Sequence, residues 1–272
     1  MSLPRRLACP YFLKALGLSV PIGALAGLVG LGGGEFRLPV LLRVIGFDAR
    51  TAIPVNLLVS AVTLAVALAA RGPAVPAAGL GEILPVVVGL ALGGMISATY
   101  GAGLVRRLND RRLVRLIAAL LGGLGLVLIA ESIFALAPAA PWLDQPVLGF
   151  ALAVVLGLGI GVVSSVLGVA GGELLIPALI LVFGVDVKLA GSASLLIALA
   201  IVAAGLWRYH GMGLLALSAG ARRITAAMSL GTVIGAITGG LMVALAPAAA
   251  IKAVLGLALI LAAAQTASRH AR

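Results

Sequence analysis

Glu35 and Arg37 stand two residues apart, directly after three glycines, Gly32, Gly33 and Gly34, in an otherwise apolar stretch. A second glycine pair with an acidic neighbour, Gly171-Gly172-Glu173, comes later in the chain. A carboxylate inside a membrane is costly and marks a proton or ion path. A guanidinium matches the planar geometry of an oxyanion. Glycines without Cβ atoms let an anion reach backbone N–H groups, most effectively at a helix start where those donors are free. The chemistry available is therefore binding of a small anion, with Glu35 and Glu173 as proton carriers. An ionised Glu would repel a neighbouring anion, and protonation would remove that repulsion. A plainer reading stands level with this one: each Glu caps the free N–H groups of a helix start, and Arg37 pairs with Glu35.

Asn56, Ser192 and Ser194 fall early in the apolar runs after these motifs and are candidate hydrogen-bond donors to a substrate, with Ser164 and Ser165 as weaker ones. The same residue types also join helices to one another. Pro39 and Pro177 read as helix-start punctuation, where a missing N–H costs least. His210 and His270 are isolated, which supports no metal site. No nucleophile–base pair stands out, no cofactor motif is present, and an enzyme is not expected. Gly157-Leu158-Gly159-Ile160-Gly161 resembles a nucleotide loop only superficially, since no strand precedes it and no Gly-Lys-Ser/Thr follows. It reads as close helix packing, as do Gly23-Gly27 and Gly235-Gly239. Such surfaces serve contacts within one protomer or between two copies in a homodimer.

These residues belong to a longer repeat. Gly33-Gly34-Glu35 with Pro39 recurs 138 residues on as Gly171-Gly172-Glu173 with Pro177. The same offset carries Gly46 to Gly184, Asp48 to Asp186, Leu57-Leu58 to Leu195-Leu196, Gly93 to Gly231 and Gly101 to Gly239. Arg37 breaks the pattern, because its counterpart is Leu175. The repeat sits in a chain of 272 residues with 62% hydrophobic and only 10% charged residues. A soluble domain carries about 25% charged residues, so the bilayer is the expected solvent. The net charge of +11 does not point to nucleic acid. The basic residues occupy short loops between apolar runs, and Arg106–Arg115 is the densest cluster. The lone Cys9 excludes a disulfide within the chain and reads as a bystander.

A spanning helix needs about 20 apolar residues. Thr51–Ala70, Glu82–Val105 and Leu113–Ala130 are read as spans of the first repeat, and Leu189–Trp207, Ile224–Leu245 and Ile251–Thr266 as those of the second. Ahead of each set comes a glycine-broken hairpin, about 15–45 and 147–183, whose return arm is half a membrane long and so predicts re-entry. The predicted fold is an all-α membrane protein of two inverted repeats, each a re-entrant helical hairpin plus three transmembrane helices. Residues 1–130 form the first repeat, 131–146 an outer connector and 147–272 the second. With both termini cytoplasmic, Arg5, Arg6, Lys14, Arg43, Arg50, Arg208, Arg222, Arg223, Arg269 and Arg272 collect with the 106–115 cluster on the inner face. The outer face keeps little beyond Arg71, Lys188 and Lys252. The N-terminal basic residues resemble a signal peptide, but cleavage would remove part of the repeated unit.

The motifs GLVGLGGGEFRLPVLL from Gly27 and SSVLGVAGGELLIPALI from Ser164 resemble those of the sulfite exporter TauE/SafE family, and the resemblance runs through both halves. It implies a polytopic carrier of a bacterial cytoplasmic (inner) membrane, exporting sulfite, organosulfonates or related anions with protons as partner. Carried over by position, Gly32, Gly33, Gly34, Pro39, Gly171, Gly172 and Pro177 match the motif. Glu35, Glu173 and Arg37 depart from the commoner apolar pattern. The alternatives are uptake of another small anion such as a carboxylate, a passive anion channel, and a membrane subunit with no transport of its own.

Overall fold

In the computed structural model the described residues are 8–72, 77–105, 122–123, 125–126, 129–130, 145–167, 169–213 and 215–268. Every regular element among them is helical. The expected span Leu113–Ala130 lies mostly outside the described residues. So do most of the connector 131–146, Arg5, Arg6, the 106–115 cluster from Arg106 on, Arg269, His270 and Arg272.

Helix α1 (Ala8–Leu25) continues as a π-helical turn through Ala26–Gly30, and α2 (Gly34–Pro39) continues through a second such turn, Val40–Val44. Then follow α3 (Ala49–Arg71), the short α4 (Ala77–Glu82) and α5 (Leu84–Val105). The second half opens with α6 (Pro146–Leu167) and α7 (Gly172–Pro177), which passes into a π-helical turn at Ala178–Val182. It closes with α8 (Val187–Gly211), α9 (Ala219–Met242) and α10 (Ala248–Ser268). The bounds of α2, its π turn and the start of α3 recur 138 residues later in α7, its π turn and the start of α8. Local chemistry sets several of these limits. Asp186 starts α8 by accepting a hydrogen bond from the Lys188 N–H at 2.9 Å, and Ser218 starts α9 by accepting one from Ala221 at 3.3 Å.

Among the described residues, four helical stretches are long and apolar enough to cross a membrane: Tyr11–Gly30, Thr51–Arg71, Val187–Gly211 and Ala219–Met242. The apolar parts of α5 and α10, Leu84–Thr99 and Ala248–Leu261, are shorter. The first arm of the leading hairpin departs from expectation. It begins at Ala8 rather than near Ala15, because Tyr11, Phe12 and Leu16 pack against the apolar cluster that joins Ala15, α3 and the start of α9, and extend the helix towards the N-terminus. Its length, roughly 35 Å at 1.5 Å per residue, is that of a full span. The return arm over residues 34–44 is roughly 16 Å long. Apolar side chains such as Leu84, Val88, Leu92 and Ile96 on α5, and Leu230, Ile234, Ile237 and Leu241 on α9, lie exposed at helical spacing. That pattern suits lipid as solvent.

The two halves interlock. Helix α1 packs most extensively against α9, and α5 against α6, while α3 and α8 meet between them. Glycines set the first two contacts. A Cβ on Gly231, Gly235 or Gly239 would stand 2.3, 2.0 and 2.0 Å from the carbonyls of Leu16, Val20 and Ala24. A Cβ on Gly93 would stand 2.2 Å from the Val154 carbonyl, and one on Gly157 2.5 Å from that of Leu90. The contacts of α1 and α9 advance together along both chains, so these helices run parallel, and α5 and α6 do the same. The glycines at 23, 27, 235, 239, 157 and 161 are thus packing residues, as their spacing suggested.

Candidate functional site

The two glycine breaks meet. Gly33 and Gly171 precede α2 and α7 with φ of 68° and 78°, a left-handed conformation that favours glycine. A Cβ on Gly32 would lie 2.9 Å from the Ala170 Cβ. One on Gly172 would lie 3.4 Å from the Gly32 nitrogen and 3.6 Å from Ser194 Oγ. One on Gly34 would face Asn56 Nδ2 at 3.0 Å, Ser60 Oγ at 3.2 Å and Val169 Cγ1 at 3.2 Å. The first break therefore rests against the middle of α3, and the second against it and α8.

Arg37 projects from α2 into this junction and is 0% exposed. Its Nη1 donates to Ser60 Oγ at 3.0 Å and Asn56 Oδ1 at 3.4 Å. Its Nη2 donates to Thr63 Oγ1 at 3.0 Å and the Gly32 carbonyl at 3.5 Å. Asn56 also donates from Nδ2 to the Gly34 carbonyl at 3.3 Å, tying the break to α3. The Nε of Arg37 has no hydrogen-bond partner. Neither has either carboxylate oxygen of Glu35, which is 6% exposed. Arg37 thus spends its Nη groups on α3 and the break instead of on Glu35, and Glu35 accepts no capping bond from the helix start. Glu173 is buried at the equivalent place on α7.

Ser194 Oγ is buried beside Gly172 and unpartnered. Ser192, expected with it, belongs elsewhere: its hydroxyl accepts from Arg71 Nε at 2.9 Å. Gly171 packs on Ile160 and Ser164, and Ser164 donates to the Val169 carbonyl, which closes the turn into the second break. Pro39 and Pro177 correct the helix-start reading, since each ends its six-residue helix. A proline in that second turn lacks the N–H for the bond to the fourth residue before it. A π-helical turn follows at once in both arms, the usual accommodation of an interrupted ladder.

Three polar residues at or near the junction carry no motif in the sequence. Ser60 and Thr63 hold Arg37, and their spacing of four and seven from Asn56 is the one signal that they share a helix face. Arg71, expected as an outer loop charge, is 0% exposed. Its guanidinium donates to Ser192, to the Gly27 and Leu28 carbonyls at 2.9 Å each and to the Lys188 carbonyl at 2.7 Å. It is a structural cation, each of its three nitrogens bonded to protein oxygen. Among the described residues, no three His, Cys, Asp or Glu side chains cluster in a way that could hold a metal ion.

The family model described as Sulfite exporter TauE/SafE matches residues 3–128 and 152–272. The chain belongs to the TauE/SafE family. It is accordingly a multi-pass membrane protein of a transporter family. The two matched segments contain both glycine breaks, Arg37 and the whole of α3 and α8. Comparison with curated proteins and with solved structures gave no match.

Proposed function

We propose that this protein is a secondary carrier that exports a small sulfur oxyanion, sulfite or an organosulfonate, across a bacterial cytoplasmic membrane with proton coupling. The observation that carries the reading is the buried Arg37 at the first break, with its Nε unpartnered, and the equally buried, unpartnered carboxylate of Glu35 two residues before it on α2. A cation and a carboxylate left unsatisfied inside an apolar chain are expensive unless a ligand or proton completes them. Arg37 Nε, Ser194 Oγ and the N–H groups following Gly33 and Gly171 are the donors assigned to the anion. Glu35 carries the proton, and Glu173 is its counterpart across the junction.

The architecture proposed around this site is a pair of inverted repeats, each with a re-entrant return arm. Two relations support inversion. Helices α1 and α9 run parallel although they hold non-equivalent places in the two halves, and α5 and α6 do likewise. An upright second copy would make both pairs antiparallel. The meeting of the first break with Asn56, Ser60 and Leu64, mid-way along α3, supports a tip within the membrane. Internal inverted repeats with broken helices at their interface are the usual frame for alternating access. Both termini are assigned to the cytoplasm on the distribution of basic residues.

Proteoliposome flux tests the reading, with sulfite, sulfoacetate, taurine and small carboxylates offered with and without an imposed proton gradient. Gradient-dependent movement of a sulfur oxyanion, lost in Arg37→Ala, is the expected result. Movement of carboxylates alone, or flux indifferent to the gradient, would replace it with a different cargo or a passive channel.

A further inference from the structure

The 138-residue offset pairs each residue of the Arg37 nest with a counterpart in the other half. Asn56 corresponds to Ser194 and both are polar. Arg37, Ser60 and Thr63 correspond to Leu175, Ala198 and Ile201. All six of these last residues are buried, with exposures between 0 and 3%. The three polar ones are mutual partners, since Arg37 donates to Ser60 and Thr63 at 3.0 Å each. A buried guanidinium needs acceptors, and without the guanidinium those hydroxyls lose the cation they accept from, Thr63 keeping its own bond to the Val59 carbonyl. Cation and hydroxyls therefore form one unit, present in the first half and replaced as a unit in the second.

We infer that Arg37, Ser60 and Thr63 form a one-sided charge-selectivity element, which gives each protomer a single oxyanion seat and restricts it to monoanions. The inference rests on the carrier reading above. The buried charged residues of the two breaks are one guanidinium, Arg37, and two carboxylates, Glu35 and Glu173. Arg71 is already committed to the framework, because its Nε, Nη1 and Nη2 all bond to protein oxygens, four bonds in all. One guanidinium balances one negative charge when both carboxylates are protonated. A dianion would leave a net charge in a desolvated place, which is strongly unfavourable. A sulfonate head or bisulfite meets the condition, and sulfate does not. Ser60 and Thr63 hold the Nη groups, so Nε is the donor that faces the ligand.

The test compares methanesulfonate with sulfate in proteoliposome flux and measures melting temperature in detergent. Three variants accompany the wild type: Arg37→Leu alone; Arg37→Leu with Ser60→Ala and Thr63→Ile, which installs the residues of the second half; and Arg37→Lys. Wild type is expected to move methanesulfonate and exclude sulfate. The triple variant is expected to melt above the single one, since it replaces two buried hydroxyls that no longer accept from a cation, and to lose methanesulfonate flux by roughly tenfold to a hundredfold. Arg37→Lys keeps the charge and should keep the monoanion preference with a raised KM, a readout that stands even where the triple variant does not fold. Equal transport of sulfate by wild type, undiminished flux in the folded triple variant, an unchanged KM in Arg37→Lys, or a single variant as stable as the triple one would each overturn the inference. Wild type that moves a monocarboxylate but no sulfur anion would refute the sulfur cargo alone, and the same variants then decide the element with that carboxylate. Wild type that moves no anion refutes both.

Discussion

Arg71 Nε donates to Ser192 Oγ at 2.9 Å, a bond between residues 121 positions apart that ties the end of α3 to the start of α8. The same guanidinium holds the Gly27, Leu28 and Lys188 carbonyls, so four acceptors from two segments, the π turn of residues 26–30 and the start of α8, converge on one buried cation. Gly27 and Leu28 lie at the end of the first helical arm, where carbonyls carry partial negative charge and a cation is favourable. Arg71→Met should therefore cost about 3 kcal/mol or more, since it orphans several buried acceptors at once. Arg71→Lys should cost less, but cannot reach all four with one compact ammonium. Chemical denaturation in detergent measures both, and a Met variant as stable as wild type would remove Arg71 from the framework.

Glycines in the α1–α9 contact should tolerate no side chain. Gly235→Ala and Gly239→Ala place a methyl 2.0 Å from a backbone carbonyl, so the helices must separate. A loss of about 1–3 kcal/mol is expected for each, the usual range for overpacking. Gly159→Ala is the control, because nothing lies within 4 Å of its added Cβ. It should be neutral, or stabilising by up to about 1 kcal/mol through helix propensity. Melting curves that fail to separate the two classes would show that this packing is wrong.

Glu35→Gln keeps the shape of a side chain whose oxygens have no partner, so the variant should fold with wild-type stability. In the carrier reading, wild-type flux falls as pH rises, because the ionised carboxylate repels the anion. The amide stands in for the protonated form and should flatten that profile. A Gln variant with the wild-type pH dependence would exclude Glu35 as the proton site.

The proposed orientation gives opposite faces to the two ends of α9. Replacing Cys9 by Ser and introducing Met212→Cys before the helix or Leu245→Cys after it creates single exposed thiols. In intact cells a membrane-impermeant maleimide should label position 245 and spare position 212. The reverse pattern would invert the topology, and labelling of both would refute the span.

The repeat is legible in the sequence because its invariants are backbone requirements. Gly33 and Gly171, like Gly46 and Gly184, hold positive φ that other residues enter at a cost. A duplicated chain shows such positions at a constant offset. The partners of Arg37 are hidden for a physical reason: hydroxyls in apolar helices commonly bond their own backbone, as Thr63 does to the Val59 carbonyl at 2.7 Å. Residue type therefore does not reveal a second role. Arg71 precedes Gly72-Pro73 at a helix end and so reads as a solvent charge. Only the arrival of α8 and the π turn of residues 26–30 beside it shows otherwise. Ser192 and Ser194 differ in fate for the same reason, since one helix presents them in different directions.

The exchange of partners between halves also bears on biogenesis. Helix α1 finds its glycine-fitted neighbour in α9, about 200 residues further along. Until that helix leaves the ribosome, the notches at Gly23 and Gly27 are filled only by lipid tails, and Arg71 lacks its acceptors on α8. Contacts so distant along the chain are slow to form. The early half must therefore wait in the bilayer as an open, unfinished template, and two halves made as separate polypeptides should find each other and complete one molecule.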